Sequence, residues 1–223
     1  MRFDERLLET QRQLQKTQEA LYLTLSLENK CQFESAYDEA LHFAVEAEKL
    51  TMLARNLPAY TGHPKAREAM DALVEESIPV SMEFTPEGWF KMSFPALLPR
   101  KERGNTDYIC GYLYPAMKRF RESGPPVYFG NSVIIFRHLY DHTRPERLFR
   151  DHDNIEINAV VDVLALYMLH NDGPMTLQHY YCSAACAADG TEVYLVPQDE
   201  FDRFLIDLKA GKIGAPAVKA TPP

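Results

Sequence analysis

Asp151 and Asp153 stand two residues apart at the head of the run RDHDNIEINAVVDVLALYMLHND, Arg150 to Asp172. In an extended segment, residues two apart point the same way. Two carboxylates on one side of a chain repel unless a cation lies between them, and a hard divalent ion such as Mg²⁺ suits oxygen ligands. Ile155, Val160, Val163, Leu166 and Leu169 then recur at helical spacing. The spacing predicts a helix of about four turns opened by the acid pair. The acids and Asn154 would then lie at a helix N-terminus, where unpaired N–H groups and the dipole favour negative charge. Asp172 follows the helix, and Gly173-Pro174 supplies a chain reversal that would turn it back toward the pair. A plainer reading competes: Asp153 or Asn154 merely caps the helix, and Asp172 is a turn residue.

A basic segment leads into these acids. Ten Lys and Arg residues fall between Pro99 and Arg150 against five acids, a local excess of five positive charges in a chain whose net charge is −8. Arg100, Lys101 and Arg103 occupy one predicted loop, and Arg144, Arg147 and Arg150 immediately precede the acids. Arginine forks clamp phosphate bidentately, so the segment suits a phosphate-bearing ligand. The alternatives are a solvated charged loop and arginines that pair with the carboxylates beside them. The net acidity argues against non-specific binding of nucleic acid by the whole surface.

The order Asp-x-Asp-Asn at 151–154, then an apolar helix, then Asn171-Asp172, then two strands, resembles the RusA-like Holliday-junction resolvases over roughly residues 78–197. The resemblance implies that Asp151, Asp153 and Asp172 hold Mg²⁺ (or Mn²⁺) at a DNA phosphate. It adds Asn154 to the catalytic set and gives the loop of Arg100, Lys101 and Arg103 a role in contacting phosphate, while Arg147 and Arg150 of the adjoining basic run are further candidate phosphate contacts. It also implies branched or single-stranded DNA as the partner. Members of that family carry a lysine four residues after the second aspartate, whereas Ile157 stands here. Losing one such electrostatic group commonly costs about 10²–10³ in rate. Two expectations arise. One is a Mg²⁺-dependent, structure-selective DNA endonuclease, or a protein derived from one. The other is a catalytically inactive RusA-like binding protein of a mobile element, for example an acidic anti-CRISPR-type inhibitor in complex with a host defence nuclease. A third reading, an assembly protein whose acids meet by accident, also stands. The chain has no G-x-x-x-x-G-K-[ST], G-x-G-x-x-G or H-E-x-x-H pattern, which sets aside P-loop and zincin chemistry.

The elements that must position these residues form an α+β arrangement, an N-terminal helical hairpin followed by a mixed sheet with helices packed on it. Residues 1–60 read as the hairpin. Leu7, Leu14 and Leu21 fall at sevens, and Phe33, Tyr37, Leu41, Val45, Leu50 and Leu53 share a face of the second helix. The leftover apolar face would serve a homodimer, or both helices would pack on the downstream domain. Residues 65–210 read as the α+β domain, with the order β-β-α-β-α-β-β-α from residue 78, and 211–223 as a disordered tail. Within the domain, Trp89 belongs to a β-hairpin and Pro115 should kink or split a helix over 108–122. Leu177–Ala184 and Glu192–Val196 read as a second hairpin turned by Ala188-Asp189-Gly190. His138 and His142 lose any zinc spacing on a strand, and Cys182 and Cys186 read as strand thiols. No apolar run reaches membrane length and the polar N-terminus is no signal peptide, so the expectation is a cytoplasmic protein with no membrane partner.

Overall fold

The computed structural model describes residues 2–101, 105–143 and 150–214. Arg103, Arg144, Arg147 and the expected tail from 215 onward lie outside the described residues. The chain divides into two compact units, Met1–Leu73 and Val74–Pro223. The border therefore falls inside a helix, some way beyond the expected division between residues 60 and 65.

The first unit is an antiparallel pair, α1 (Phe3–Asn29) and α2 (Phe33–Asn56), followed by a 3-10 turn, Leu57–Thr61, and α3 (Ala66–Ser77). Cys31 makes the reversal in the left-handed region at φ 57°. The leucines at sevens are not the packed seam. Leu7, Leu14 and Leu21 are 47%, 44% and 49% exposed. The seam instead buries Gln13, Thr17 and Ala20 of α1 against Ala36 and Glu46 of α2. Gln13 Nε2 donates to the Glu46 backbone oxygen at 3.0 Å and to its Oε2 at 2.7 Å, and Thr17 Oγ1 donates to the same backbone oxygen at 3.2 Å. Lys49 and Gln13 hold the Glu46 carboxyl below its ordinary pKa. Small and hydrogen-bonded side chains fix the register here, and the leucine row is left one position round the helix. Phe33, Tyr37 and Leu41 of α2 are exposed as well, while Val45, Leu50 and Leu53 are half-buried.

The second unit follows the expected element order: β1 (Ser81–Phe84), β2 (Phe90–Phe94), α4 (Asn105–Glu122), β3 (Ser132–Asp141), α5 (Asn158–Met168), β4 (Leu177–Cys186), β5 (Gly190–Pro197) and α6 (Phe201–Lys209). The five strands form one mixed sheet in the order β1-β2-β5-β3-β4. All neighbours are antiparallel except β3 and β4. The expected β4–β5 hairpin is not formed, because β3 lies between the two. A helical crossover delivers β4 parallel to β3, as such a connection must. Residues 187–189 then step across the end of β3, about 10 Å or two strand spacings. Asp189 Oδ1 accepts from the Asp141 N–H at 2.9 Å and ties that step to β3. A turn that looks like a local reversal thus serves a wider one.

One face of the sheet packs Phe90, Phe94, Ile134 and Phe136 under α4 and α5, with Phe90 and Phe94 against Phe120 and Tyr112 of α4. α4 runs through Pro115 without a break. The other face buries Val133, Ile135, Tyr194 and Val196 with Trp89 under Phe204 of α6. Trp89 is fully buried, its ring 5.4 Å from Phe204 and its Nε1–H donating to Glu200 at 2.8 Å, so it is a core residue and no base-stacking platform. On the same face Arg137 and Glu192 form an ion pair at 2.6 Å, 7% and 5% exposed. Gly214, at φ 80°, lies so close over this pair that a Cβ there would meet Arg137 Nη1 at 2.5 Å.

Candidate functional site

Asp151 opens a 3-10 turn, His152–Asn154, which is followed by extended residues and then by α5 from Asn158. The acids therefore do not start the long helix. Its first turn is held by Glu156, whose Oε1 accepts from the N–H groups of Asn158 at 3.0 Å and Ala159 at 3.4 Å. A 3-10 turn advances a third of a circle per residue, so positions two apart no longer share a side. Asp151 itself is extended, at φ −66° and ψ 140°, but the turn begins at His152 and breaks the extended run between the two acids.

Asp172 is placed elsewhere. It follows the C-terminal end of α5, whose 11 residues span roughly 16 Å. The chain beyond it enters β4 at Leu177, level with Ser132 on β3. The Asp151–Asn154 turn lies instead beside Ser183, level with His138, since His152 Nε2 is 3.0 Å from Ser183 Oγ. Six strand residues separate those levels, about 20 Å. The three acids expected to share one cation are therefore not gathered. Among the described residues no group of three His, Cys, Asp or Glu side chains is disposed to hold a metal.

Part of the predicted site is assembled. Lys101 N–H donates to the Asn154 oxygen at 2.8 Å, Glu156 N–H donates to the Pro99 oxygen at 2.9 Å, and Arg100 forms an antiparallel bridge with Ile155. This short ladder lays Arg100 and Lys101 along the acidic turn, with Lys101, Asp151, Asp153 and Asn154 all exposed. Arg150 is half-buried and its guanidinium donates to the Leu98 oxygen, while its backbone N–H and oxygen both meet the Tyr140 hydroxyl at 3.2 Å. It acts as a strut for the turn more than as a reaching side chain.

The structure gathers further residues around His138, whose spacing to His142 had carried no site. His138 is fully buried on β3, and neither ring nitrogen makes a hydrogen bond among the described residues. Burial, with smaller repulsion from His152 and Arg150, lowers its pKa to about 4, so the ring is neutral at pH 7. The His152 ring stands edge-on to it at 5.3 Å and 5.7 Å from Tyr181, whose hydroxyl is 3.1 Å from His179 Nδ1. Phe136 stacks under Tyr181 at 5.8 Å. The signal for this cluster was the alternation of His179, Tyr181 and Ser183 along β4, which puts all three on one face. The opposite set, Tyr180, Cys182 and Ala184, carries the apolar pattern and obscures it. The Cys182 thiol on that side is pushed by burial to a pKa of about 11, which removes it as a nucleophile.

A family profile matches residues 2–215, nearly the whole chain. The chain belongs to DUF6100, a family of unknown function. No curated protein matches the sequence. Among solved structures, the periplasmic domain of Helicobacter pylori MotB aligns over 61% of this chain and 90% of that one, at 12% identity and a TM-score of 0.29. A likeness at that score supports no inference about this DUF6100 chain. No helix among its described residues is long and apolar enough to cross a membrane.

Proposed function

We propose that this DUF6100 protein binds nucleic acid in the cytoplasm without cutting it, as an inactive relative of RusA-like resolvases. The observation that carries the reading is the ladder joining Pro99–Lys101 to Asn154–Glu156, which brings the backbone of two basic residues against the turn that carries His152. Cations track a phosphate backbone, and the half-buried rings of His152 and Tyr181 beside the turn are of the kind on which an unstacked base can stack. The distance between Asp172 and the Asp151–Asn154 turn supports the reading without cleavage. The missing lysine at Ile157 points the same way, since that side chain is buried in the apolar interior. Mg²⁺ bound by one or two carboxylates together with a substrate phosphate stays within the chemistry of Asp151 and Asp153.

Fluorescence anisotropy with labelled branched and single-stranded DNA over a range of salt tests this reading. Wild type should bind at low salt, and the double variant Arg100→Ala, Lys101→Ala should reduce the slope of log K against log salt by about 1 to 2. Cleavage in Mg²⁺ or Mn²⁺ that disappears in Asp153→Asn would restore the phosphodiesterase reading. Absence of binding at low salt would remove both. One further observation favours a second reading: from Asp151 to Glu200 there are nine acids and no Lys or Arg. Such a stretch suits occupation of a basic channel in a nuclease, and inhibition of a DNA-binding enzyme by a protein that does not itself bind DNA would select it.

A further inference from the structure

The first unit leaves one flank unfinished. Taking Gln13, Thr17 and Ala20 with Ala36 and Glu46 as the seam, Leu7, Leu14 and Leu21 line one side of it on α1. In an antiparallel pair the row facing them across that side on α2 is Ala40, Ala47 and Ala54. The leucines, Ala40 and Ala54 are exposed, and Ala47 is half-buried. Gln11 and Gln18 lie beyond the leucines, and Ala44 and Thr51 beyond the alanines. From Leu7 to Leu25 and from Phe33 to Ala54, this flank carries no charged residue. A quarter of the whole chain is charged. The opposite flank is ordinary by comparison, a shallow cleft lined by Lys16, Glu19, His42 and Glu46.

We propose that this uncharged flank docks a second copy of the same chain, forming a four-helix bundle across a two-fold axis. The surface is complementary to itself. It offers a ridge of leucines on one helix and a trough of alanines on the next, and a two-fold rotation seats each ridge in the partner's trough. Leu7, Leu14 and Leu21, with Phe33 and Tyr37 at the hairpin tip, expose on the order of 500 Å² of apolar side chain per copy, most of the roughly 800 Å² per partner in a standard interface. An apolar patch of that size is comparable to the largest on a typical monomer, and such patches often mark a binding surface. A lipid surface does not fit, because interfacial helices flank their apolar face with Lys and Arg, and residues 1–73 hold nine of these against twelve acids. The inference is independent of nucleic-acid binding by the second unit.

Light scattering on the eluting full-length chain, at about 50 µM and at about 1 µM, tests it. Wild type should show twice the monomer mass at the higher concentration. Leu14→Glu combined with Leu21→Glu should raise the dissociation constant at least about a hundredfold, equivalent to about 2.8 kcal/mol. Ala47→Arg, which fills the trough, should do the same with helicity by circular dichroism unchanged. Lys16→Glu on the charged flank should leave the dimer intact. A wild type that is monomeric at the higher concentration, or a dimer that survives both flank variants, would overturn the proposal.

Discussion

The two units solve the problem of burial in opposite ways. The sheet unit hides Trp89, Phe90, Phe136, Ile134 and Tyr194 almost completely, and covers both faces with its own helices. The hairpin unit joins its helices through Gln13, Thr17, Ala20 and Glu46 and leaves Leu7, Leu14 and Leu21 in solvent. Hydrophobic stabilisation follows the apolar area taken from water. The sheet unit is thus complete as one chain, whereas the hairpin holds most of its apolar surface in reserve. A helical pair of this kind is held together by a few specific bonds and by whatever covers its flank.

The sharpest contrast should come from truncating each unit's aromatic or polar centre. Phe136→Ala should destabilise the sheet unit by about 3–5 kcal/mol in denaturant melts. Arg137→Leu should cost about 3 kcal/mol, the low end for a broken buried pair because Lys91 remains 4.0 Å from Glu192. Replacing both partners by leucines should recover much of that loss, and failure to recover would mean that the pair does more than neutralise itself. In the hairpin, Gln13→Ala should cost about 1–3 kcal/mol by leaving Glu46 with an unmet bond, seen as lower helicity in thermal melts. A smaller cost there would blur the distinction between a polar and an apolar seam.

His138 gives a pH test that touches only the sheet unit. Its pKa falls from 6.5 in the unfolded chain to about 4 in the fold. Between those values the unfolded chain binds more protons, so stability is full above about pH 6.5 and declines as pH drops toward 4. The slope from this one group is at most about 1.4 kcal/mol per pH unit. His138→Leu should flatten that part of the denaturant midpoint against pH, and an unchanged slope would assign it to other groups. The smallest effect should come from Glu156→Ala, about 1 kcal/mol, because it removes the acceptor for the first N–H groups of α5.

How far the sequence foretold these features depended on how local each one is. The order of elements from residue 78 was legible, because Val133–Leu139 is a β-prone run of the kind a central strand carries and 158–168 recurs on a period near four. Arg150 beside Asp151 was also legible because the two are chain neighbours, whereas Arg100 and Lys101 reach Asn154 through ladder bonds between residues more than fifty positions apart. Three features were not. The β4–β5 turn has hairpin chemistry, yet the choice of partner belongs to β3 and the sheet. The acid pair depended on backbone angles at His152–Asn154, which composition does not set. The leucines at sevens are a true helical stripe, but a stripe names a face and not its occupant. Gln13 and Glu46 won the seam through hydrogen bonds that a hydrophobic count ignores.

The sheet order has a consequence for how the chain acquires its shape. β5 comes after β1 to β4 along the polypeptide but lies between β2 and β3, and it supplies every bond that joins the β1–β2 hairpin to the β3–β4 pair. During synthesis from the N-terminus, β1–β2 and β3–β4 would wait as two ribbons with open edges until Gly190–Pro197 leaves the ribosome. Unpaired edges in a nascent chain invite aggregation, and contacts of such long sequence separation form slowly. A window of open strand edges during translation, closing once residue 197 is clear of the exit tunnel, therefore follows from the topology.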